Sequence, residues 1–166
     1  MEKIIKLNQI DDSVKQIKNQ CQTIVLVGGC FDILHYGHLK FLEKAKKDGD
    51  ILIVALESDE KIKKLKGEDR PIHSQKQRAE MLTALRVVDF VICLPLMKSD
   101  QDYLELVKKV KPDVIAVTAG DPKLKNKKEQ AKAISAKVKI VTPRLKTLST
   151  QEIISHLKIS SDRRCF

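Results

Sequence analysis

The sequence predicts an α/β fold in which a doubly wound sheet of about five parallel strands carries helices on both faces. Three observations predict it. Short apolar runs alternate with longer amphipathic stretches along the chain, as strands do when helical crossovers join them. The runs are apolar at consecutive positions, so both sides of each strand are expected to be covered. The first long run, Ile24 to Val27, leads through Gly28 and Gly29 into a helix start, the strand, glycine turn and helix order of a Rossmann-like layout.

Strands are expected at Thr23–Val27, Ile51–Leu56, Phe90–Leu94, Val114–Thr118 and Val138–Thr142. Helical patterns run between them over His38–Lys47, Ser74–Leu85, Ser99–Val110 and Lys123–Ile134. Leu39, Phe41, Leu42 and Ala45 give the first helix its apolar face. Ser74 and Ser99 suit N-cap positions, because a serine hydroxyl accepts one of the free N–H groups of the first turn. Ser149-Thr150-Gln151-Glu152 reads as a capping box that opens a last helix. An extra leading helix is expected over Ile10–Gln20, with Asp11 or Asp12 near its cap. Gly49 falls just past the first long helix, where a left-handed C-cap is expected. Ligands of such a sheet collect beyond the carboxyl ends of the strands, near the point where strand order reverses. Gly28–His38, Glu57–Asp59, Ala119–Pro122 and Pro143–Thr150 all fall at that rim.

At 166 residues the chain is expected to form one domain with a real core. No apolar run approaches the roughly 20 residues needed to span a bilayer, and Met1–Lys6 lacks the apolar core of a signal peptide, so no membrane association is expected. Cys21, Cys30, Cys93 and Cys165 are irregularly spaced, which predicts reduced thiols in the cytoplasm rather than a disulfide frame. The net charge of +10 fits either nucleic acid or a small polyanion. With aromatics at 4% and no Trp, the stacking platforms of nucleic-acid modules are missing, so a small polyanion is favoured and nucleic acid is not an expected partner.

The segment His35-Tyr36-Gly37-His38 sits just beyond the glycine turn. A helix N-terminus carries free N–H groups and about half a positive charge, so it attracts phosphate. Histidines at i and i+3 share one side of the first turn and can donate to a phosphoryl group whose charge grows in the transition state. A zinc site is disfavoured: His73 and His156 sit in unrelated contexts and Cys30 has no Cys-x-x-Cys partner, so no metal-ligating set is expected.

These residues resemble the cytidylyltransferase-like nucleotidyltransferases, whose Gly-x-Phe-Asp-x-x-His-x-Gly-His signature is matched in full by Gly29 through His38. A second signature, Ser-Thr-x-x-Ile, is matched by Ser149 through Ile153. Leu65-Lys66-Gly67-Glu68-Asp69-Arg70-Pro71, with Gln77-Arg78 and Val88-Asp89, is most similar to the domain that adenylylates D-glycero-β-D-manno-heptose 1-phosphate. The chain departs from that pattern at Gly28, at Glu57-Ser58-Asp59 and at Ala119-Gly120-Asp121-Pro122, positions that lie close to the substrate in the family. On this resemblance, residues 23–157 form the transferase domain, 1–22 a leading helix and 158–166 a tail.

The resemblance implies that an acceptor phosphate attacks the α-phosphorus of ATP, with Mg²⁺ as cofactor and pyrophosphate leaving. His35 and His38 would hold the phosphates, and Lys66 would close on them from a basic segment, Lys61 to Lys66. The backbone at Gly29, Cys30 and Phe31, together with Gly37, would approach the nucleotide, the Phe31 ring being equally at home in the core. Asp32 would fix the turn or hold Mg²⁺ through water. Arg78, Arg144, Ser149 and Thr150 would grip nucleotide phosphates, the latter two at a second helix tip. Lys64, Arg86 and Asp121 would meet the acceptor, although either Arg78 or Arg86 could equally pair with Asp89 as scaffold, and Asp121 could simply shape a turn. The expected partners are ATP or CTP and a phosphorylated small molecule, with a homodimer possible. The competing expectations are a glycerol-3-phosphate-type cytidylyltransferase, an FAD-forming adenylyltransferase, and a non-catalytic protein that binds nucleotide or nucleic acid.

Overall fold

The computed structural model describes residues 2–143. One sheet of six parallel strands runs through the molecule, comprising β1 (Ile4–Ile5), β2 (Ile24–Gly29), β3 (Ile51–Leu56), β4 (Phe90–Cys93), β5 (Val114–Thr118) and β6 (Lys137–Thr142). Their order across the sheet is β1-β4-β3-β2-β5-β6, so the direction of winding reverses between β2 and β5. The five expected strands are all present. The sixth, β1, pairs Ile4 with Val91 and Ile5 with Ile92 at the edge, and two residues are too few to show a period in sequence.

Alternation along each strand divides the core into two layers. Ile24 and Leu26 of β2, with Ile53 and Ala55 of β3, pack with Ile10, Val14 and Ile17 and with Leu106, Val107 and Val110. Val25 and Val27, with Leu52, Val54 and Leu56, pack instead with Phe41, Leu42, Ala45, Ala79 and Leu82. The first layer therefore lies under α1 (Ile10–Asn19), α5 (Asp100–Val110) and α6 (Leu124–Ala133). The second lies under α2 (Tyr36–Lys46) and α4 (Gln75–Thr83). The leading helix shares the same core as the rest of the described chain.

Helix starts follow the expected caps. Ser74 and Ser99 each close a capping box, with Gln77 and Asp102 returning the bond to the cap backbone. The basic segment Lys61–Lys66 is helical: α3 spans Asp59–Lys66, and the Ser58 hydroxyl accepts from the Lys61 N–H at 3.2 Å. Ile62 anchors it as its one buried residue while Leu65 stays exposed, so it reads in sequence like a solvated run. Gly49 differs from expectation. It is absent from the positive-φ positions, and α2 ends on Lys47 in the right-handed region. A Cβ at Gly49 would lie 2.7 Å from Val25 Cγ2 and 3.1 Å from the Thr23 carbonyl, so close packing requires the glycine, not a left-handed cap. Among the described residues no helix is long and apolar enough to cross a membrane.

Candidate active site

The turn after β2 is a tight construction. Gly29 ends the strand, and a Cβ there would meet the Phe31 ring at 2.8 Å. Phe31 itself takes φ +44°, a left-handed conformation uncommon for a residue with a side chain. That conformation drives its ring into the core, where it is buried and lies 5.1 Å from the His38 ring between centroids. Its side chain is thus core, and only its backbone borders the rim.

The chain then enters α2 with His35 as N-cap, so the helix begins at Tyr36, two residues before the expected start at His38. His35 Nδ1 accepts the His38 N–H at 3.4 Å, which in the neutral ring leaves the proton on Nε2. The two rings stack with centroids 3.7 Å apart and 22° between planes. Two protonated imidazoles could not share that geometry cheaply. Burial and the Lys66 ammonium hold His35 below the usual imidazole range. Burial, then His35, then Lys66 push His38 down to about 3. His38 Nδ1 is buried with no partner among the described residues. The pair is therefore a stack of neutral donors at a helix tip, with Lys66 near enough to act on both.

Beneath the turn lies Arg78, the largest fully buried side chain. Its Nε donates to the His73 carbonyl at 3.0 Å, Nη1 to the Cys30 carbonyl, and Nη2 to the Glu57 carbonyl at 2.8 Å and Asp59 Oδ1 at 2.7 Å. The structure therefore places Arg78 as a brace joining three loops, not as the free phosphate fork expected of it. Asp32 is a second brace. Its carboxylate is buried, pairs with the Arg70 guanidinium, and accepts the N–H groups of Ile72 at 2.8 Å and His73 at 3.1 Å. It does bond backbone N–H groups, as expected, but those of a loop forty residues away and not of its own turn. With those partners filled it has no lone pair directed to a metal. Gln75, which the sequence did not single out, donates to the Leu56 and Leu94 carbonyls at 3.1 and 2.7 Å and closes the ends of β3 and β4.

Of the acceptor-side expectations, that for Arg86 is corrected and Asp121 takes the turn-shaping reading. Arg86 is exposed in the connection that leads into the start of β4, at the amino rim of the sheet and opposite the histidines. Its expected partner Asp89 is taken by Lys46 at 2.6 Å. Asp121 is at the correct rim, after β5, but its carboxylate accepts the Lys123 N–H at 2.8 Å and the Lys127 ammonium at 2.7 Å. It shapes the entry to α6. Lys64 and Lys66 are both exposed on α3, and Lys66 is the one whose charge reaches the imidazoles and the Cys30 thiol. Burial pushes that thiol up. Gly37 is the second residue of α2, between the two histidines. Arg144, Ser149, Thr150, the capping-box helix, His156 and Cys165 lie outside the described residues. Among the described residues no group of three or more His, Cys, Asp or Glu is placed to hold a metal ion.

In sequence Glu57 falls at the rim and among the departures but carries no assigned role. It follows β3 at the same rim, its N–H donates to the Gly29 carbonyl at 3.1 Å, and its Oε1 accepts the Tyr103 hydroxyl at 2.9 Å. Burial pushes its carboxyl up against the opposing pull of Tyr103, Lys61, Lys127 and Arg78.

A parallel sheet wound both ways from β2, with a stacked imidazole pair at the helix tip beside the reversal, defines a Rossmann-like domain whose carboxyl rim presents free helix N–H donors. The chain belongs to the cytidylyltransferase-like family, whose model matches residues 26–161. It is 42% identical over 154 residues to the bifunctional protein HldE of Campylobacter jejuni subsp. doylei, covering 92% of this chain and 32% of that protein. The bifunctional protein HldE of Nitratiruptor is 46% identical over 123 residues, or 74% of this chain and 26% of its own. The chain thus spans about a third or less of the length of these curated relatives. The crystal structure of the lipopolysaccharide core biosynthesis protein from Thermoplasma volcanium superposes with a TM-score of 0.57 at 29% identity, covering 73% of this chain and 95% of that one. Pantoate-β-alanine ligase from Francisella tularensis, solved with an ATP analogue and β-alanine, shares the fold at a TM-score of 0.67 and 18% identity, covering 97% of this chain and 78% of that one.

Proposed function

We propose that this domain transfers AMP from ATP to a sugar 1-phosphate of the heptose 1-phosphate type and releases pyrophosphate. The observation that carries the reading is the stacked His35–His38 pair at the tip of α2, beside the reversal of strand order. In-line displacement between two polyanions needs no covalent intermediate. It needs alignment and donors aimed at the charge that builds on the phosphoryl oxygens. The α2 tip supplies N–H groups and the imidazoles supply ring donors. Because both rings are held neutral, they are available as donors without first binding a proton. Lys66 adds the cation that approach of the acceptor phosphate requires.

Arg78 and Asp32 act one step back. They lock the Cys30–His38 turn and the 70–73 loop in place, so that the donors do not reorganise when the triphosphate arrives. Mg²⁺ in this reading would come with the nucleotide and supply charge neutralisation, since Asp32 is already committed to Arg70 and two N–H groups. The name of the Thermoplasma protein supports a sugar-derived acceptor, as does the Lys-Gly…Arg-Pro stretch. The test is pyrophosphate release from ATP or CTP with a panel of sugar 1-phosphates, glycerol 3-phosphate and flavin mononucleotide. Turnover is expected with ATP and a heptose 1-phosphate. Turnover confined to CTP and glycerol 3-phosphate, or to flavin mononucleotide, would replace this reading.

A further inference from the structure

The site holds one group that phosphate chemistry does not use. A carboxylate repels phosphates, yet Glu57 sits on the rim that gathers them, its main chain fastened to Gly29. One oxygen, Oε1, is engaged by the Tyr103 hydroxyl at 2.9 Å. The other, Oε2, is buried with no hydrogen-bond partner among the described residues. A buried acceptor left unmatched is costly, and such atoms are few in native proteins.

The neighbouring cations do not fill it. Lys61 donates to the Met97 carbonyl at 3.0 Å and lies 5.6 Å from the centre of the Tyr103 ring. Lys127 is bound to Asp121 at 2.7 Å, and Arg78 is spent on its carbonyls and Asp59. Their field makes the surroundings of Glu57 positive, which disfavours a cationic ligand group and admits a neutral donor. The donor that fits is a hydroxyl. Its owner is narrowed by position: Glu57 lies on the β3 side of the imidazole turn, and the chain runs from it directly into α3, which ends on Lys66. The other flank of the turn is the loop after β5.

We infer that Glu57, held by Tyr103, reads the acceptor: Oε2 takes a hydrogen bond from a ring or chain hydroxyl of a polyhydroxylated phosphate, so the site selects among acceptors by that hydroxyl. This rests on the transferase reading above and adds to it the residue that chooses the acceptor.

The experiment is steady-state pyrophosphate release with ATP and D-glycero-β-D-manno-heptose 1-phosphate, beside the monodeoxy analogues of that sugar. The wild-type chain is expected to lose about 10- to 100-fold in kcat/KM with one of the analogues. Glu57→Leu is expected to raise the KM for the parent sugar by about the same factor, to bring parent and analogue within about twofold, and to leave the KM for ATP within about twofold. Tyr103→Phe, which frees Glu57 to turn, is expected to fall between the two. Glu57→Gln keeps the shape and one oxygen, and carries the test if the leucine variant does not melt cooperatively. Unchanged discrimination in the Glu57 variants, or a rise in the KM for ATP instead, overturns this inference alone. If the wild-type chain turns over no sugar 1-phosphate, the transferase reading falls and takes this one with it.

Discussion

At the amino rim of the sheet the free N–H groups of the strands are met by carboxylates, whereas at the carboxyl rim the free carbonyls are met by guanidinium and amide donors. Asp50 accepts from Thr23, Asp89 from Leu52 and Asp113 from Ile24, at 2.9, 2.7 and 2.7 Å. Lys46 and Lys18 neutralise the latter two at 2.6 Å each. At the other rim, Arg78 and Gln75 hold the carbonyls of Cys30, Glu57, Leu56 and Leu94. Both rims meet the same requirement that backbone groups be paired. The difference is what remains. The amino rim closes on its own carboxylates, two of them paired with lysines. The carboxyl rim keeps the α2 tip, two imidazoles and Lys66, none of which is paired with a carboxylate among the described residues, so its donors are left open to a ligand. Parallel strands impose this asymmetry, because every N–H end faces one way and every crossover helix starts at the other.

Substitutions at the two rims should therefore fail differently. The largest effect is expected from Arg78→Leu, which strands three carbonyls and the Asp59 carboxylate. It should cost about 3–5 kcal/mol in denaturant unfolding, and a variant as stable as the parent would show that the brace is dispensable. His38→Ala comes next: pyrophosphate release should drop by about 10²–10³-fold with a cooperative melt retained. Asp89→Ala tests the closed rim, with about 1–2 kcal/mol lost and kcat unchanged at a temperature where the fold persists.

The fourth effect is on pH. His38 is near 3 when folded against an ordinary value of 6.5, so the unfolded chain takes up its proton first as pH falls. The stability this residue contributes is complete above about pH 6.5 and is lost progressively toward pH 3, at up to about 1.4 kcal/mol per pH unit. Urea midpoints measured across that window should fall less steeply in His38→Ala than in the parent. The smallest effect is expected from Arg86→Ala: on the rim away from the site, it should leave kcat and both KM values within about twofold.

The sheet, the crossover helices and the imidazole turn were legible because each has a local signature. Consecutive apolar positions mark a covered strand, serine caps mark α4 and α5, and Gly29 to His38 carry their chemistry at fixed spacing. What was not legible depends on contacts between distant segments. Nothing local distinguishes Arg78 as fully buried from Arg86 as exposed, since both flank the same apolar helix face. The Glu57–Tyr103 bond joins residues 46 positions apart, and neither is unusual alone. Gly49 was misread because a glycine after a helix suggests a cap, while the side chain that excludes a Cβ there, Val25, comes from a strand.

The bond between Asp32 and the 70–73 loop has a practical consequence for engineering. The stretch from Ser58 to Gly67 leaves the sheet after β3, but the chain is pinned again where Ile72 and His73 meet Asp32. Both ends of the excursion are thus tied to the same turn, and α3 sits between two fixed points. Its solvent-facing positions can be exchanged while Asp59, Ile62 and Lys66 stay in place and the turn keeps its register.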